Sequence, residues 1–256
     1  MFDEIFQDNK VKDNNIYGIV TGLVKEIYDA SHPGMVKVEM FMTDGTLNVT
    51  DWIRVIVPYG GKDKGMYFLP DVGDEVAIAF ERGDIEKPYI IGCLWNANVD
   101  KIPENTVTEK NTIKKLKTRG GHEVIFDDTE KKEKIEIITP KKSKISMDDE
   151  NSLITISAVG DKGENILKLD SKNGVVTITG KEKIVLDAGG TKITIDGMGK
   201  KIDIEGQNIN LKGTNIKAEG QAISIKGTQT EINAAASLNV KCDAVVNIKG
   251  AMVKIN

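Results

Sequence analysis

Between residues 16 and 97, short runs that alternate apolar and polar side chains are separated by turn residues. In the run from Met35 to Met42, the period-2 pattern places Val36, Val38 and Met40 on one face of a strand. The strand-like runs are residues 16–28, 35–42, 52–58, 72–80 and 88–95. Five or six short strands with no helical period predict a compact five-stranded Greek-key barrel of the OB type.

From Lys201 the pattern becomes a seven-residue repeat in which an apolar-x-apolar pair precedes a glycine: KIDIEGQ, NINLKGT, NIKAEGQ and AISIKGT. The glycines are Gly206, Gly213, Gly220 and Gly227. A coiled coil is excluded because the apolar residues are spaced i, i+2 and a recurring glycine costs about 1 kcal/mol per helical position. Each unit is therefore predicted to be one short strand followed by a corner, as in β-solenoids.

Seven residues make only one side of a triangular coil, so either three units per turn stack within one chain or two other chains complete each turn. A single-chain coil would show a repeat three times as long with side-specific features, whereas successive units here look alike. We therefore predict an intertwined trimeric β-helix, a triangular prism, at the C-terminal end. The predicted trimer core consists of Ile202, Ile204, Ile209, Leu211, Ile216, Ile223, Ile225 and Ile232.

Between the barrel and the repeat, apolar-x-apolar pairs recur at looser spacings of about eight to ten residues. They predict strands that lead into the prism. The predicted organisation is an N-terminal extension (1–15), an OB domain (16–97), a linker (98–117), transition strands (118–183) and the β-helix spike (184–256). The predicted fold class is all-β throughout.

The composition separates the two halves of the chain. All 13 aromatic residues lie at or before Phe126, and residues 141–256 contain neither an aromatic residue nor a proline. This half is rich in Ile, Val and Leu, which separates it from a disordered tail. A narrow threefold axis admits such side chains but few rings. No apolar run reaches the length of about 20 residues that a membrane helix needs, so a soluble chain made in the cytoplasm is predicted.

Several kinds of chemistry are excluded by the residues present. A net charge of −4 with only three arginines argues against nucleic-acid binding. Cys93 and Cys242 are far apart, offer no metal-ligand spacing and are predicted to be small buried hydrophobic residues. His32 and His122 lack a Ser or Cys partner in a recognisable motif. We therefore predict no catalytic site, no cofactor and no metal site.

The run from Asp51 to Asn98, DWIRVIVPYGGKDKGMYFLPDVGDEVAIAFERGDIEKPYIIGCLWNAN, resembles the OB domain of contractile-tail spikes. These are the phage baseplate assembly protein V family and the VgrG spikes of type VI secretion. The matching positions are Trp52, Ile53, Arg54, Pro70, Val72, Gly73, Glu75, Val76, Gly83, Asp84, Pro88, Ile90, Gly92 and Asn96. A second run, Thr118 to Pro140, resembles the segment of VgrG-like spikes that begins their first β-helix strands.

The resemblance implies a structural protein: the homotrimeric central spike, or membrane-puncturing needle, of a contractile injection machine. The machine would be a phage tail, a phage-tail-like bacteriocin or a related secretion system, and the spike would be assembled in its baseplate. The OB end would seat on a separate baseplate hub protein, because only some 15 residues precede the barrel. The tip would contact the target cell envelope transiently. The alternative is a monomeric module, an OB domain with a β-solenoid, that binds oligosaccharide or nucleic acid.

The strand pattern runs to the last residue, and no histidine follows His122 that could hold a metal at the apex. An uncapped solenoid end exposes strand edges and needs a cover. In VgrG-like spikes that cover is a small PAAR-repeat protein that binds its own metal. We expect a PAAR-like tip protein to dock on Met252, Val253, Lys254, Ile255 and Asn256 of the three chains.

Overall fold

A computed structural model describes residues 15–41, 47–96 and 102–255. Most of the predicted N-terminal extension, residues 98–101 of the predicted linker and Asn256 lie outside these ranges. The described residues form 18 strands and one three-residue 3-10 helix, Glu81–Gly83. The predicted all-β fold class is therefore confirmed.

The barrel region contains eight strands. They are β1 Val20–Glu26, β2 Met35–Phe41, β3 Leu47–Val49, β4 Ile53–Val55, β5 Gly60–Gly61, β6 Lys64–Gly65, β7 Glu75–Phe80 and β8 Pro88–Leu94. Five of them close a ring in the order β1-β2-β4-β8-β7, with β7 pairing back onto β1. The β4–β8 pair is parallel and the others are antiparallel. This closed five-stranded barrel confirms the predicted OB-type fold.

The barrel core follows the predicted alternation. Val36 and Val38 are fully buried and Met40 is 5% exposed, as the period-2 pattern of β2 required. The other buried members of this core are Val24, Ile53, Val76, Ile78, Phe80 and Ile90. Because the ring of strands closes, these side chains find all their apolar neighbours within one chain.

Two barrel glycines are required by local geometry. At Gly22, a Cβ atom would lie 2.6 Å from the Glu39 carbonyl oxygen and 2.7 Å from the Cγ1 atom of Val38. Gly73, in the turn before β7, has a φ of 95°, a left-handed backbone conformation that favours glycine.

The prediction that the cysteines are buried was wrong, since Cys93 and Cys242 are both exposed. Cys93 lies beyond a register shift in the β7–β8 pair, between the partners of Ala77 and Ile78. Before the shift Ile90 is fully buried, but every residue from Ile91 to Leu94 is exposed.

Residues 113–179 form one seven-stranded antiparallel sheet in which the strands follow each other in chain order, here called the meander sheet. Its strands are β9 Ile113–Lys117, β10 Glu123–Asp127, β11 Lys134–Ile138, β12 Lys144–Asp148, β13 Leu153–Gly160, β14 Gly163–Asp170 and β15 Val175–Thr179. The predicted transition strands thus belong to a single sheet. The last five residues of the predicted linker form its first strand, in which Leu116 pairs with Val124 and continues the apolar pattern of the neighbouring strands.

Three further strands, β16 Lys183–Ala188, β17 Thr191–Asp196 and β18 Lys201–Glu205, form a three-stranded sheet in that order. Residues 206–255 contain no strand, and every one of them is exposed. This segment carries most of the seven-residue repeat, so its apolar side chains have no core within the single chain.

We expect Gly22→Ala to destabilise the barrel by about 1–3 kcal/mol, because the new methyl group would overlap the backbone of β2. The matched control is Gly92→Ala, since a Cβ atom at Gly92 would meet nothing within 4 Å. Denaturant unfolding followed by the fluorescence of Trp52 and Trp95 measures both changes. Equal effects of the two substitutions would contradict the close approach of β1 and β2.

Candidate assembly surfaces

One face of the meander sheet consists of two continuous rows of apolar side chains. Direct cross-strand partners build the first row from Phe126, Ile135, Met147, Ile154, Leu169 and Val176. They build the second row from Leu116, Val124, Ile137, Ile145, Ile156, Leu167 and Ile178. Residues i and i+2 of a strand share a face, so each apolar-x-apolar pair supplies one residue to each row. We call this surface the apolar face.

The apolar face is open to solvent in the single chain. In the three central strands, β11 to β13, its side chains are 37% to 45% exposed. At the edge strand β15, Val176 reaches 66% and Ile178 52%. A contiguous apolar surface of this kind on a folded chain marks an interaction site.

The opposite face of the meander sheet, here called the polar face, carries the charged side chains together with the half-buried Ile125, Ile138, Leu153 and Ile166. It is the better covered of the two faces. In β12, Ser146 is 7% exposed while its neighbours Ile145 and Met147 are 37% and 43% exposed. Ion pairs connect adjacent strands on this polar face, including Lys117 with Glu123 at 3.1 Å. The other pairs are Lys115–Glu123 at 3.4 Å, Lys134–Asp148 at 3.2 Å and Lys144–Glu136 at 2.6 Å. The charged side chains of the polar face therefore cover each other, whereas the side chains of the apolar face remain open to solvent.

The electrostatics of the polar face follow from these pairs. The hydrogen bond from Lys117 holds the pKa of Glu123 below its ordinary value, and the charge of Lys115 acts in the same direction. Such cross-strand charge pairs contribute about 0.2–1 kcal/mol each to a sheet.

Aspartates cap the turns at one end of the meander sheet. Asp148 accepts hydrogen bonds from the backbone N–H and the side-chain amide of Asn151, at 3.0 and 3.1 Å. Asp170 accepts the same two bonds from Asn173, again at 3.0 and 3.1 Å. These donors stabilise the charged carboxylates, so the pKa values of both aspartates are lowered.

Arg54, one of the positions that match the family pattern, belongs to a polar cluster on the barrel. The guanidinium carbon of Arg54, on β4, lies 4.7 Å from the ring centre of Tyr89 on the parallel neighbour β8. Arg54 also donates a hydrogen bond of 2.9 Å to the Tyr89 hydroxyl, which in turn donates to the Glu81 carboxylate. That last bond lowers the pKa of Glu81 and raises the pKa of Tyr89. The cluster ties the two parallel strands to the 3-10 helix.

The predicted trimer-core residues all lie exposed in the single chain. Their side chains are between 51% (Ile204) and 75% (Ile225) exposed. Of the predicted tip-docking residues, Met252 is 76%, Val253 50% and Ile255 89% exposed, and Lys254 is exposed as well. Asn256 lies outside the described residues.

Among the residues that the structure describes, no three His, Cys, Asp or Glu side chains lie close enough together to hold a metal ion. None of the helices in these ranges has the length and apolar character needed to cross a membrane.

The continuity of the apolar face was not predicted from the sequence, which suggested only loosely spaced strands. Phe126, Val124 and Leu116 were not recognised as part of it. The signal was present in the runs EVIFD and IKKLK, where apolar residues are spaced i, i+2 or fall opposite such residues in the hairpin.

The barrel defines an OB domain of the kind found in contractile injectors. Residues 20–95, from the start of β1 to just past β8, match the family described as the Type VI secretion system/phage-baseplate injector OB domain. This match and the similar proteins confirm the resemblance to VgrG-like contractile spikes that the sequence predicted.

The similar proteins include type VI secretion system spike proteins and an actin cross-linking toxin. The type VI secretion system spike protein VgrG5 of Pseudomonas aeruginosa is 34% identical over 88 residues, which are 33% of this chain and 11% of that protein. The spike protein VgrG1a of the same organism is 30% identical over 90 residues, 34% of this chain and 14% of that protein. The actin cross-linking toxin VgrG1 of Vibrio cholerae is 30% identical over 119 residues, 43% of this chain and 11% of that protein. The chain thus matches only 11% to 14% of the length of these relatives.

We expect the meander sheet to lose stability in acid, because its turn aspartates have lowered pKa values. Their contribution is present above the ordinary aspartate pKa of about 3.9 and is lost as the pH falls through the lower folded-state value. A double variant, Asp148→Asn with Asp170→Asn, should lose less stability between pH 5 and pH 2 than the unmodified chain. Denaturant unfolding followed by far-UV circular dichroism measures this difference.

The control is Asp149→Asn, whose side chain sits in the same turn as Asp148. It removes a carboxylate from this turn but none of the bonds between Asp148 and Asn151, so its unfolding should depend on pH more strongly than that of the double variant. If the double variant and this control depend on pH to the same extent, the turn bonds do not carry the acid sensitivity.

Proposed function

We propose that this chain is the structural central spike of a contractile injection machine and that it works as a homotrimer. The machine is a phage tail, a phage-tail-like bacteriocin or a related secretion system. The spike joins the baseplate hub to the tip and transmits the force of sheath contraction into the target envelope. Its role is mechanical, and no step of the proposal requires catalysis or a cofactor.

The apolar face of the meander sheet is the observation that carries this proposal. Its second row crosses all seven strands of the sheet and its first row crosses six, yet nothing in the part of the chain that the structure describes covers them. Burial of apolar surface stabilises by about 25 cal/mol per Å², so the face favours association. Three copies can turn these faces toward a common axis and cover them equally.

The segment 206–255 supports three chains in particular. Its seven-residue units are each one side of a triangular coil and look alike, which is what threefold symmetry requires. A single-chain solenoid would pair its own strands in this segment, whereas the described chain has no strand there. In an intertwined prism, the unpaired backbone groups of one chain would bond to those of the other two.

The remaining partners follow from the similarity of the barrel to injector OB domains. We propose that the barrel seats on a baseplate hub protein and that the chain is made in the cytoplasm. Assembly into the baseplate of a tail or tail-like particle would follow, and contact with the target envelope would be transient.

The first test compares two substitutions on neighbouring residues of β13. Ile156→Asp places a charge on the apolar face, where Ile156 is already 44% exposed in the single chain. The cost to the chain's own fold is therefore small, but three charges buried in a trimer cost several kcal/mol each. Thr155→Asp is the control, because Thr155 lies on the polar face directly opposite Lys168.

Light scattering should give a mass of three times 28.0 kDa for the unmodified chain and for Thr155→Asp. Ile156→Asp should give monomers that keep the far-UV circular dichroism of the meander sheet. A stable monomer of the unmodified chain would contradict the spike and favour the monomeric binding module.

We also propose that a PAAR-like tip protein docks on Met252, Val253, Lys254, Ile255 and Asn256, since the apolar members of this set are exposed. Deletion of these five residues should abolish co-purification with the tip protein while the mass remains that of the trimer. An apex metal bound by the isolated full-length chain would contradict a separate tip.

A further inference from the structure

The residue before the corner glycine alternates in charge along the seven-residue repeat. It is Glu205, then Lys212, then Glu219, then Lys226. The residue after the glycine alternates in step, as Gln207, Thr214, Gln221 and Thr228. The apolar pattern therefore repeats every seven residues, but the residues on the two sides of the glycine repeat only every fourteen.

These four charged residues occupy one position on the outside of the predicted prism. In a unit such as KIDIEG, Ile202 and Ile204 share the inner face, so Asp203 and Glu205 lie on the outer face. All four side chains are exposed in the single chain. Glu219 forms an ion pair with Lys217 of its own chain, but both side chains are more than 70% exposed, and such a pair contributes little.

The neighbour of each charge follows from threefold symmetry, and this step rests on the proposed trimer. At any level of the prism, the three chains place the same unit on the three faces. One strand spacing further along the prism axis, each chain has advanced by one seven-residue unit and lies on the next face. On each face, a unit of one chain therefore lies next to the following unit of another chain, at the strand spacing of about 4.8 Å.

We propose that Glu205, Lys212, Glu219 and Lys226 form an alternating Glu–Lys ladder between chains on each face of the prism and that this ladder fixes the register of the three chains. Opposite charges on adjacent strands attract each other, and like charges destabilise. Each Glu has Lys neighbours that belong to the other chains. The partner that this surface recognises is thus a second and third copy of the same chain.

Register needs such a device because the apolar pattern does not specify it. If one chain slips by seven residues, its isoleucines and glycines fall again on isoleucines and glycines. The same slip places Glu beside Glu and Lys beside Lys on the outer surface. The charges therefore disfavour the slip by one unit, the smallest slip that the core tolerates.

The charge test uses Glu219→Lys, which creates a run of three lysines across neighbouring chains. The control is Glu231→Lys, which changes the charge equally at an outer position flanked by the neutral Ser224 and Asn239. We expect Glu219→Lys to lower the melting temperature of the trimer by about 5 °C or more in low salt, and the control to lower it much less. High salt should reduce the difference.

Reversal of all four charges provides the rescue. The variant Glu205→Lys, Lys212→Glu, Glu219→Lys and Lys226→Glu keeps the alternation with opposite signs. It should regain most of the melting temperature lost in Glu219→Lys. A rescue that fails while the trimer persists would contradict the ladder.

Cysteine cross-linking reads the register directly, in a chain whose native cysteines are replaced by Cys93→Ser and Cys242→Ser. In the proposed register, residue 210 of one chain lies beside residue 217 of the next, close enough for a disulfide. Oxidation of Asn210→Cys with Lys217→Cys should therefore give a covalent trimer, whereas Asn210→Cys alone should give no cross-link. Efficient dimer formation by the single variant would overturn the proposed register.

The outcomes separate this inference from the proposed function. A monomeric mass for the unmodified chain would refute the trimer itself. A trimer in which Glu219→Lys and Glu231→Lys melt alike would refute only the ladder.

Discussion

The structure depends on the burial of apolar side chains that one chain cannot bury alone. In the meander sheet, residues such as Ile145 and Ile156 stand in rows on one face and remain more than a third exposed. In the repeat that follows, Ile209 and Ile225 are exposed by 52% and 75%. The proposed threefold assembly covers these residues, and the proposed charge ladder sets the register in which the three chains do so.

The barrel meets the same need within a single chain. Its five strands close on themselves, so Val36 and Ile90 are fully buried without help from another copy. The two halves of the chain therefore differ in how they reach stability. Under the proposed function, the barrel is a folded attachment domain on its own, whereas the repeat segment gains a core only by assembly. This division fits an injector, in which one end must dock and the other must form a rigid rod.

The sequence predicted burial correctly where the alternation within one strand decides it, since Val36, Val38 and Met40 lie in the core. Local turn geometry likewise accounts for Gly73, whose φ is positive. Burial could not be predicted where it depends on neighbouring strands. Cys93 is apolar in character but is exposed beyond the register shift between β7 and β8. The same limit applies to the candidate site: the apolar-x-apolar pairs were recognised, but only the register of seven strands joins them into one face.

Hydrogen exchange of the full-length chain tests the central claim most directly. In a single chain, the backbone amides of residues 206–255 belong to no strand and should exchange at the rate of an unfolded peptide. In an intertwined prism, they bond to the other two chains. We predict strong protection of the amides within each short strand of this segment, comparable to that of the barrel strands. Rapid exchange throughout residues 206–255 would contradict the account.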